Sequence, residues 1–307
     1  MLDAIIAVTL AAPDLAATER AYASQLGYRV VERAVVSRSL ARGWGAQAMQ
    51  GRNYVLMQPA SGEPVYLRIV DAEAVPGYAP LRTFGWNANE ILVEDPVALA
   101  AQLKAPFTVI GEPRPLDFNP NIIAMQATGP AGEVAYFTRI PPTGSVFNLG
   151  SAKSFVDRTF IVVVGGPDVD ALRAFYRDVL RMQTTDPAPT RVNVLQDAYD
   201  LGRDAETRMG IVSFPSSFLI ELDQYPAAAV ERPVLRDQLP PGIAMVSFTT
   251  ASFDGVKLPW KVPPTVRPEA PYDGRRAGII VGPAGEWIEL VETPRPGDDA
   301  APPAPPR

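Results

Sequence analysis

The chain has 307 residues, no cysteine and no histidine, and 28 lysines and arginines against 34 aspartates and glutamates, for a formal net charge of -6. These counts exclude disulfides, a catalytic thiol, a Ser-His-Asp triad and histidine-based zinc or iron sites. The acidic balance argues against nucleic-acid binding, and the lack of a secretory leader or a long apolar run favours a cytoplasmic protein that does not enter a membrane.

The first part of the chain predicts two units of one helix and several strands. In the first unit Asp14 is a typical helix N-cap, because its carboxylate can accept from the first free backbone N–H groups. The strands of this unit are predicted at 5–11, 28–36, 54–58 and 65–70. In the second unit Asp95 and Pro96 begin a helix that runs to about Lys104. Its strands are predicted at 90–93, 108–110, 122–126 and 134–138.

The second part predicts two further units. The third, over 160–223, repeats the order of the first. The fourth begins with a strand over 244–249, but Pro259 limits its helix to one or two turns. It closes with strands at 278–281 and 287–291. The order βαβββ occurs four times, which predicts an α+β protein with curved, mostly antiparallel sheets around cavities.

Two motifs recur at nearly the same offset. The sequence Gly-Pro-Ala-Gly-Glu occurs at 129–133 and again at 282–286, which is 153 residues later. The helix opening Pro-Asp, with its Tyr and Leu, recurs 154 residues later: Pro13, Asp14, Tyr22 and Leu26 match Pro167, Asp168, Tyr176 and Leu180. This indicates a tandem duplication. We predict one module at 1–141, a linker at 142–157, a second module at 158–294 and a disordered, proline-rich tail at 295–307.

These motifs resemble the vicinal oxygen chelate superfamily, which contains glyoxalases, extradiol dioxygenases, methylmalonyl-CoA epimerases and bleomycin-resistance proteins. The resemblance covers residues 4–294 and depends on the strand-Pro-Asp-helix openings at 8–22 and 162–176 and the closing strand at 285–290. It implies a two-module protein in which paired βαβββ units surround a cavity that binds a small molecule.

The resemblance also implies two metal-ligand positions in each unit. The first-strand positions, where the family usually has a histidine, correspond to Ala7, Asn89, Ile161 and Met245. The closing-strand positions, where the family has a glutamate, correspond to Tyr66, Tyr136, Glu221 and Glu289. Because no histidine remains, this departure argues against an iron dioxygenase and against a zinc or nickel glyoxalase.

Glu221 and Glu289 are the predicted catalytic carboxylates. Each alternates with apolar neighbours, so both are expected to face one cavity, where burial and repulsion raise at least one pKa. They would then act as general acid and base, and Glu289→Gln would abolish turnover without unfolding the protein. One Mg²⁺ or Mn²⁺ held by this pair and by waters is an alternative to the expected absence of a cofactor. Two solvated glutamates on an open sheet are a further alternative.

Tyr66 and Tyr136 are predicted to donate hydrogen bonds to a developing oxyanion. The predicted substrate-binding residues are Asn89, Arg68, Met245 and Trp287. Asn89 would orient a carbonyl group, and Arg68 shares the face of Tyr66 and can pair with a carboxylate. The alternative is that both tyrosines are core aromatics with their hydroxyls at the rim.

The resulting functional hypothesis is a lyase or isomerase that acts on a small, oxygenated, partly apolar or aromatic metabolite by acid–base chemistry. One alternative is a binding protein of the bleomycin-resistance type that does no chemistry. The other is a divalent-metal enzyme with oxygen ligands only. Four units in one chain can complete both cavities, so a monomer and a homodimer are both compatible with the sequence.

Overall fold

The computed structural model describes residues 2–116, 119–142 and 147–293. The first unit contains β1 (Leu2–Ala12), α1 (Leu15–Leu26), β2 (Arg29–Val35), α2 (Arg38–Trp44), β3 (Asn53–Gln58) and β4 (Tyr66–Asp71). The second contains β5 (Gly85–Val93), α3 (Pro96–Gln102), β6 (Thr108–Leu116), β7 (Asn119–Thr128) and β8 (Val134–Arg139). The predicted tail lies outside the described residues.

The third unit contains β9 (Val156–Gly166), α4 (Val169–Ala174), β10 (Gln183–Thr184), β11 (Ala188–Thr190), α5 (Asn193–Ala198), β12 (Thr207–Ser213) and β13 (Leu219–Gln224). The fourth contains β14 (Gly242–Thr250), β15 (Trp260–Val266), β16 (Arg276–Val281) and β17 (Trp287–Glu292). The α+β class and the four-unit order expected from the sequence are confirmed.

Three of the helices begin at aspartates that cap them. Asp14 accepts from the backbone N–H of Ala17, and Asp95 and Asp168 each accept from two backbone N–H groups at the start of their helices. These contacts satisfy donors that have no partner inside a helix. The fourth unit has no helix between β14 and β15, over 251–259, in agreement with the short or broken helix expected there.

The units pair in a way that the sequence halves do not suggest. One sheet has eight strands in the order β15-β16-β17-β14-β1-β4-β3-β2, and the other has nine described strands in the order β10-β12-β13-β9-β5-β8-β7-β6, with β11 beside β12. The first unit therefore shares a sheet with the fourth, and the second unit shares one with the third. The joints are antiparallel pairings of β1 with β14 and of β5 with β9.

The two sheets share one large apolar core on their inner faces. This core includes Val8 of β1, Val162 of β9 and Ile288 of β17, together with Tyr22 of α1 and Tyr176 of the helical turn after α4. Burial of this continuous apolar surface is the dominant stabilising contribution. The opposite faces of the two sheets are called the outer faces below, and the predicted site residues are sought there.

The duplicated motifs contact each other across the core. Tyr22 Oη donates to Glu133 Oε1 at 2.8 Å, and Tyr176 Oη donates to Glu286 Oε1 at 3.3 Å. The other oxygen of each glutamate accepts a backbone N–H of its own Gly-Pro-Ala-Gly-Glu turn. Each recurring tyrosine thus holds the recurring turn of the next unit. Because the two motifs form one contact, they recur together at nearly one offset.

Candidate functional site

The outer face of the eight-stranded sheet is covered by protein. Helix α2 and the segment 267–275 lie over it, and Trp44 and Tyr272 are completely buried there. Trp44 Nε1 donates to Tyr272 Oη at 2.9 Å, which joins the two covering segments. At this face an internal network occupies the space that the resemblance assigns to a ligand.

Glu289 lies at the centre of this network and is 0% exposed. Its Oε1 accepts from Tyr272 Oη at 2.9 Å and from Arg267 Nη1, with which it forms a buried ion pair. Its Oε2 accepts from Ser247 Oγ at 2.5 Å and lies 3.9 Å from Arg68 Nη1. Both carboxylate oxygens are therefore occupied by donors from the protein.

Met245 and Trp287, predicted in the same module as Glu289, lie on this face, and so do Tyr66 and Arg68, which were predicted in the other module. Met245 and Trp287 are direct neighbours on β14 and β17, and both belong to the apolar cluster under α2. Tyr66 is partly buried and packs against the same cluster. The structure thus brings together Tyr66, Arg68, Met245, Trp287 and Glu289, but it uses Met245 and Trp287 as packed core.

The prediction that Glu221 and Glu289 face one cavity is wrong. Glu221 lies on β13 of the nine-stranded sheet, whereas Glu289 lies on β17 of the eight-stranded sheet. The prediction assumed that each half of the sequence forms its own module. Because the first unit pairs with the fourth, and the second with the third, the two glutamates are placed in different sheets.

The outer face of the nine-stranded sheet carries an acidic cluster that we call the acidic site: Glu90, Tyr136, Glu221 and Asp223. Glu90 lies beside Tyr136 in the pairing of β5 with β8, and Glu221 and Asp223 follow each other on one face of β13. Glu90 is 8% exposed and Asp223 1%, while Glu221 is partly exposed. Tyr136 and Glu221 were predicted from the sequence and are brought together here.

The acidic site favours protonated carboxyl groups. Burial raises the pKa of Glu90 to about 7, against a smaller lowering by the hydrogen bond from Thr138 Oγ1. Burial raises the pKa of Asp223, and burial followed by repulsion from Asp223 and Glu90 raises that of Glu221. Burial, Tyr225 and the nearby carboxylates raise the pKa of Tyr136, so its phenol keeps its proton at neutral pH.

The predicted role of Asn89 is not supported by its position. Its neighbours in register, Val162 and Ala135, belong to the inner core, so Asn89 faces away from the acidic site. Glu90 faces the site in its place. The error is one residue of register, which moves a strand side chain to the opposite face. The alternation of Glu90 with Leu92, which lies in an outer-face cluster, is the sequence signal that would have identified it.

Asp223 was also missed, although it lies two residues after Glu221 on the same strand. Its Oδ1 is buried without a hydrogen-bond partner among the described residues. The period of two in a strand, applied to 219–223, was sufficient to place Asp223 beside Glu221.

Helix α5 covers part of the acidic site. Val194 and Leu195 of this helix pack with Tyr136 and Tyr225 in one apolar cluster. Glu221 and Gln126, which remain partly exposed, lie on the part of the face that solvent reaches. The site is thus partly enclosed and has an apolar wall beside its carboxyl groups, an arrangement typical of small-molecule sites.

Two surface grooves lie elsewhere. One of about 310 Å³ runs between Leu15 of α1 and Tyr54 of β3, and one of about 170 Å³ lies at Met182 and Phe214. Neither contains a residue of the acidic site. Within residues 2–116, 119–142 and 147–293, no group of three or more acidic side chains has the arrangement of a metal site.

The backbone arrangement is similar to that of glyoxalase I from Zea mays, with a TM-score of 0.61 and 14% sequence identity over 94% of this chain and 92% of that one. The chain has the vicinal oxygen chelate fold. A glyoxalase/bleomycin resistance protein/dioxygenase from Nocardioides matches 48% of the chain and 89% of its own length, with a TM-score of 0.32 and 18% identity. No protein-family model matches the sequence, and no curated protein matches it significantly.

The backbone structure therefore confirms the resemblance that was inferred from the sequence. At 14% identity it shows the fold and not the reaction. The described helices include none that is long and apolar enough to cross a membrane.

Proposed function

We propose that the protein is a lyase or isomerase that acts by acid–base chemistry on a small, oxygenated, partly apolar metabolite bound at the acidic site. The observation that carries this proposal is the clustering of Glu90, Glu221 and Asp223 beside Tyr136 on one partly enclosed face. Strongly shifted carboxyl pKa values in such a position are typical of catalytic groups. Glu289 is not part of this proposal, because its oxygens are occupied by Arg267, Tyr272 and Ser247.

The chemistry follows from the mixed protonation of the site. At neutral pH, raised carboxyl pKa values keep carboxylate and carboxylic acid forms side by side. Asp223 or Glu90, whose pKa values are raised to about 7, would as carboxylate take a proton from a carbon next to a carbonyl group, and Glu221, whose pKa is raised well above its ordinary value, would donate in its protonated form to the carbonyl oxygen. The Tyr136 phenol would stabilise the enolate oxygen. Return of the proton to another carbon gives an isomer, and loss of a β-substituent gives a lyase product.

Proton abstraction can be tested before the substrate is known. The full-length protein is incubated in D₂O with a panel of α-hydroxy ketones and 1,3-dicarbonyl compounds, and deuterium uptake at carbon is followed by NMR. We expect catalysed exchange with at least one compound, and a loss of about 10²–10⁴-fold in Glu221→Gln. Glu206→Gln, on an exposed glutamate, is the matched control. Equal exchange by the wild type and by Glu221→Gln would remove Glu221 from the reaction.

A binding protein without chemistry is the second candidate, and the covering helices favour it. Helix α2 closes the outer face of one sheet, and α5 partly closes that of the other. A ligand that stabilises the protein and is recovered unchanged after long incubation would support this function over catalysis.

A third candidate is a divalent-metal enzyme that holds Mg²⁺ or Mn²⁺ with carboxylates and waters. Glu221 lies with Asp223 and Glu90 and not with Glu289; because no three acidic groups of the described residues have the arrangement of a metal site, at most two of these carboxylates, with waters, would hold the metal. Metal analysis of protein purified without a polyhistidine tag tests this candidate, and stoichiometric metal that a chelator removes with loss of activity would support it.

A further inference from the structure

The buried network under α2 contains more positive than negative charge. Arg68 is 1% exposed and Arg267 is 2% exposed, and both lie within 4 Å of one carboxylate, that of Glu289. Glu269 also lies on this side of the sheet and is partly exposed; its Oε1 accepts from Ser37 Oγ, its Oε2 is buried without a hydrogen-bond partner in the described chain, and it forms no ion pair with Arg68 or Arg267 there. Within ion-pair distance, the network therefore holds two guanidinium groups and one carboxylate.

The two guanidinium groups are not equally satisfied. Arg267 donates to Glu289, Tyr272 and the carbonyl oxygens of Gly43 and Ala277. Arg68, in contrast, has neither Nη1 nor Nη2 in a hydrogen bond with any described residue, and its contact with Glu289 is 3.9 Å long. A charged donor group that is buried without hydrogen bonds is costly, so Arg68 requires a partner that the chain does not supply.

The surroundings of Arg68 define the partner. Its guanidinium lies over the rings of Trp44 and Tyr272, with centroid distances of 5.2 Å and 5.0 Å, so these aromatic faces border the site. Thr9 is its neighbour in register on β1, is 0% exposed, and has an Oγ1 without a hydrogen-bond partner in the described chain. The unsatisfied groups around Arg68 thus include its own two Nη nitrogens and the Thr9 hydroxyl, and Arg267 Nε and Glu269 Oε2 also lack a partner in the described chain.

We propose that Arg68 and Thr9 form a binding site for a small monovalent anion of halide size. Such an ion would accept from Nη1, Nη2 and Oγ1 and would balance the second guanidinium charge within ion-pair distance of Glu289. The aromatic walls and the cover provided by α2 exclude larger anions. The site is separate from the acidic site, which lies on the other sheet.

The proposal predicts stability that depends on the identity of the anion. Thermal unfolding of the full-length protein is measured in sodium chloride and in sodium gluconate at equal ionic strength, because gluconate is too large for the site. We expect the midpoint to rise by about 2–4 °C between 0 and 200 mM chloride relative to gluconate. Arg68→Met should lose this difference, and Arg42→Met, which removes an exposed arginine of α2, should keep it. Equal midpoints of the wild type in both salts would overturn the proposal.

A second measurement uses only the wild-type protein, so it does not require the Arg68→Met variant to fold. Crystals of the wild-type protein are soaked in sodium bromide, and anomalous differences are recorded at the bromine edge. A peak beside the Arg68 guanidinium supports the proposal. Bromide peaks confined to the protein surface, with a water molecule bonded to Arg68, overturn it.

Discussion

Glu221 and Glu289 occupy corresponding positions on two closing strands, yet their neighbours give them opposite properties. Glu289 is surrounded by donors and by two guanidinium groups, which stabilise its charge. Glu221 is near Asp223 and Glu90, which oppose its charge. The same residue type is therefore a structural counter-ion in one sheet and a candidate acid or base in the other.

This contrast predicts different effects of the same substitution. Glu289→Gln removes the only carboxylate within 4 Å of two buried guanidinium groups in the described chain, so we expect a loss of about 3–5 kcal/mol in the free energy of unfolding. Glu221→Gln relieves repulsion and should be neutral or slightly stabilising at pH 8. Urea unfolding followed by circular dichroism measures both. A Glu289→Gln protein as stable as the wild type would show that the ion pairs contribute little.

The raised pKa of Glu90 predicts the direction of a pH effect. Its pKa in the folded protein is about 7, above the ordinary value of 4.5, so the folded state binds more protons than the unfolded state between these values. Stability contributed by this group is present at pH 4.5 and is lost as the pH rises through 7, by about 2–3 kcal/mol. Urea unfolding between pH 5 and pH 8 should show this loss, and Glu90→Gln should flatten the curve. If the free energy of unfolding of Glu90→Gln fell with pH as steeply as that of the wild type, the raised pKa of Glu90 would be contradicted.

At the scale of elements, α2 is held by contacts that tolerate little change. Ser37 caps it by accepting from the N–H of Leu40, and Gly45 ends it with a φ of 65°, a left-handed conformation that favours glycine. Gly43 provides the close approach to Arg267, since a Cβ at this position would be 2.9 Å from Arg267 Nε. The helix thus packs directly against the buried ion pair.

Gly43→Ala is therefore expected to destabilise the protein by about 1–3 kcal/mol, although alanine is the better helix former. Arg267 cannot move away without losing its contacts to Glu289 and to the Gly43 carbonyl. Ser39→Ala, on the exposed side of the same helix, is the control and should change stability by less than about 0.5 kcal/mol. Thermal unfolding compares the two variants, and a Gly43→Ala protein at least as stable as Ser39→Ala would refute the close packing.

The sequence predicted the helices that begin at a capping aspartate and missed those that do not. Helices α1, α3 and α4 each begin at an Asp that follows a strand, and this pattern was sufficient to place them. Helices α2 and α5 were missed because neither begins at such an Asp: α2 is capped by Ser37, and α5 has no side-chain cap. The two missed helices cover parts of the outer faces of the two sheets. The sequence prediction therefore described both faces as more exposed to solvent than the structure shows.

At the scale of the molecule, the repeat was readable from the sequence but the partners of the units were not. Sequence identity between units shows duplication, whereas the pairing of β1 with β14 and of β5 with β9 depends on contacts between distant segments. Tyr66, Arg68 and Glu289 were therefore assigned to correct strands but to incorrect neighbours. The pair Tyr136 and Glu221, expected in different modules, lies in one site.

This pairing predicts that the two halves of the chain depend on each other. Residues 1–142 alone would leave β1 and β5 without their antiparallel neighbours and would expose two long strand edges. We expect this half to aggregate or self-associate when expressed alone, and to form a 1:1 complex when co-expressed with residues 147–307. Size-exclusion chromatography with light scattering measures the masses. A stable monomer of residues 1–142 would contradict the expectation.

The ends of the described chain meet at one strand. Leu2 is a partner of Thr250 in the pairing of β1 with β14, and the N–H of Thr293 donates to the carbonyl oxygen of Thr250 at 2.8 Å. The four units are thus arranged as a closed cycle in which the first follows the last in space. A circularly permuted gene, opened between β8 and β9 and joined by a short linker from residue 293 to residue 2, would encode the same neighbours in a new chain order. In that order the fourth and first units, which share the eight-stranded sheet, become consecutive in sequence, while the second and third units, which share the other sheet, lie at the two ends.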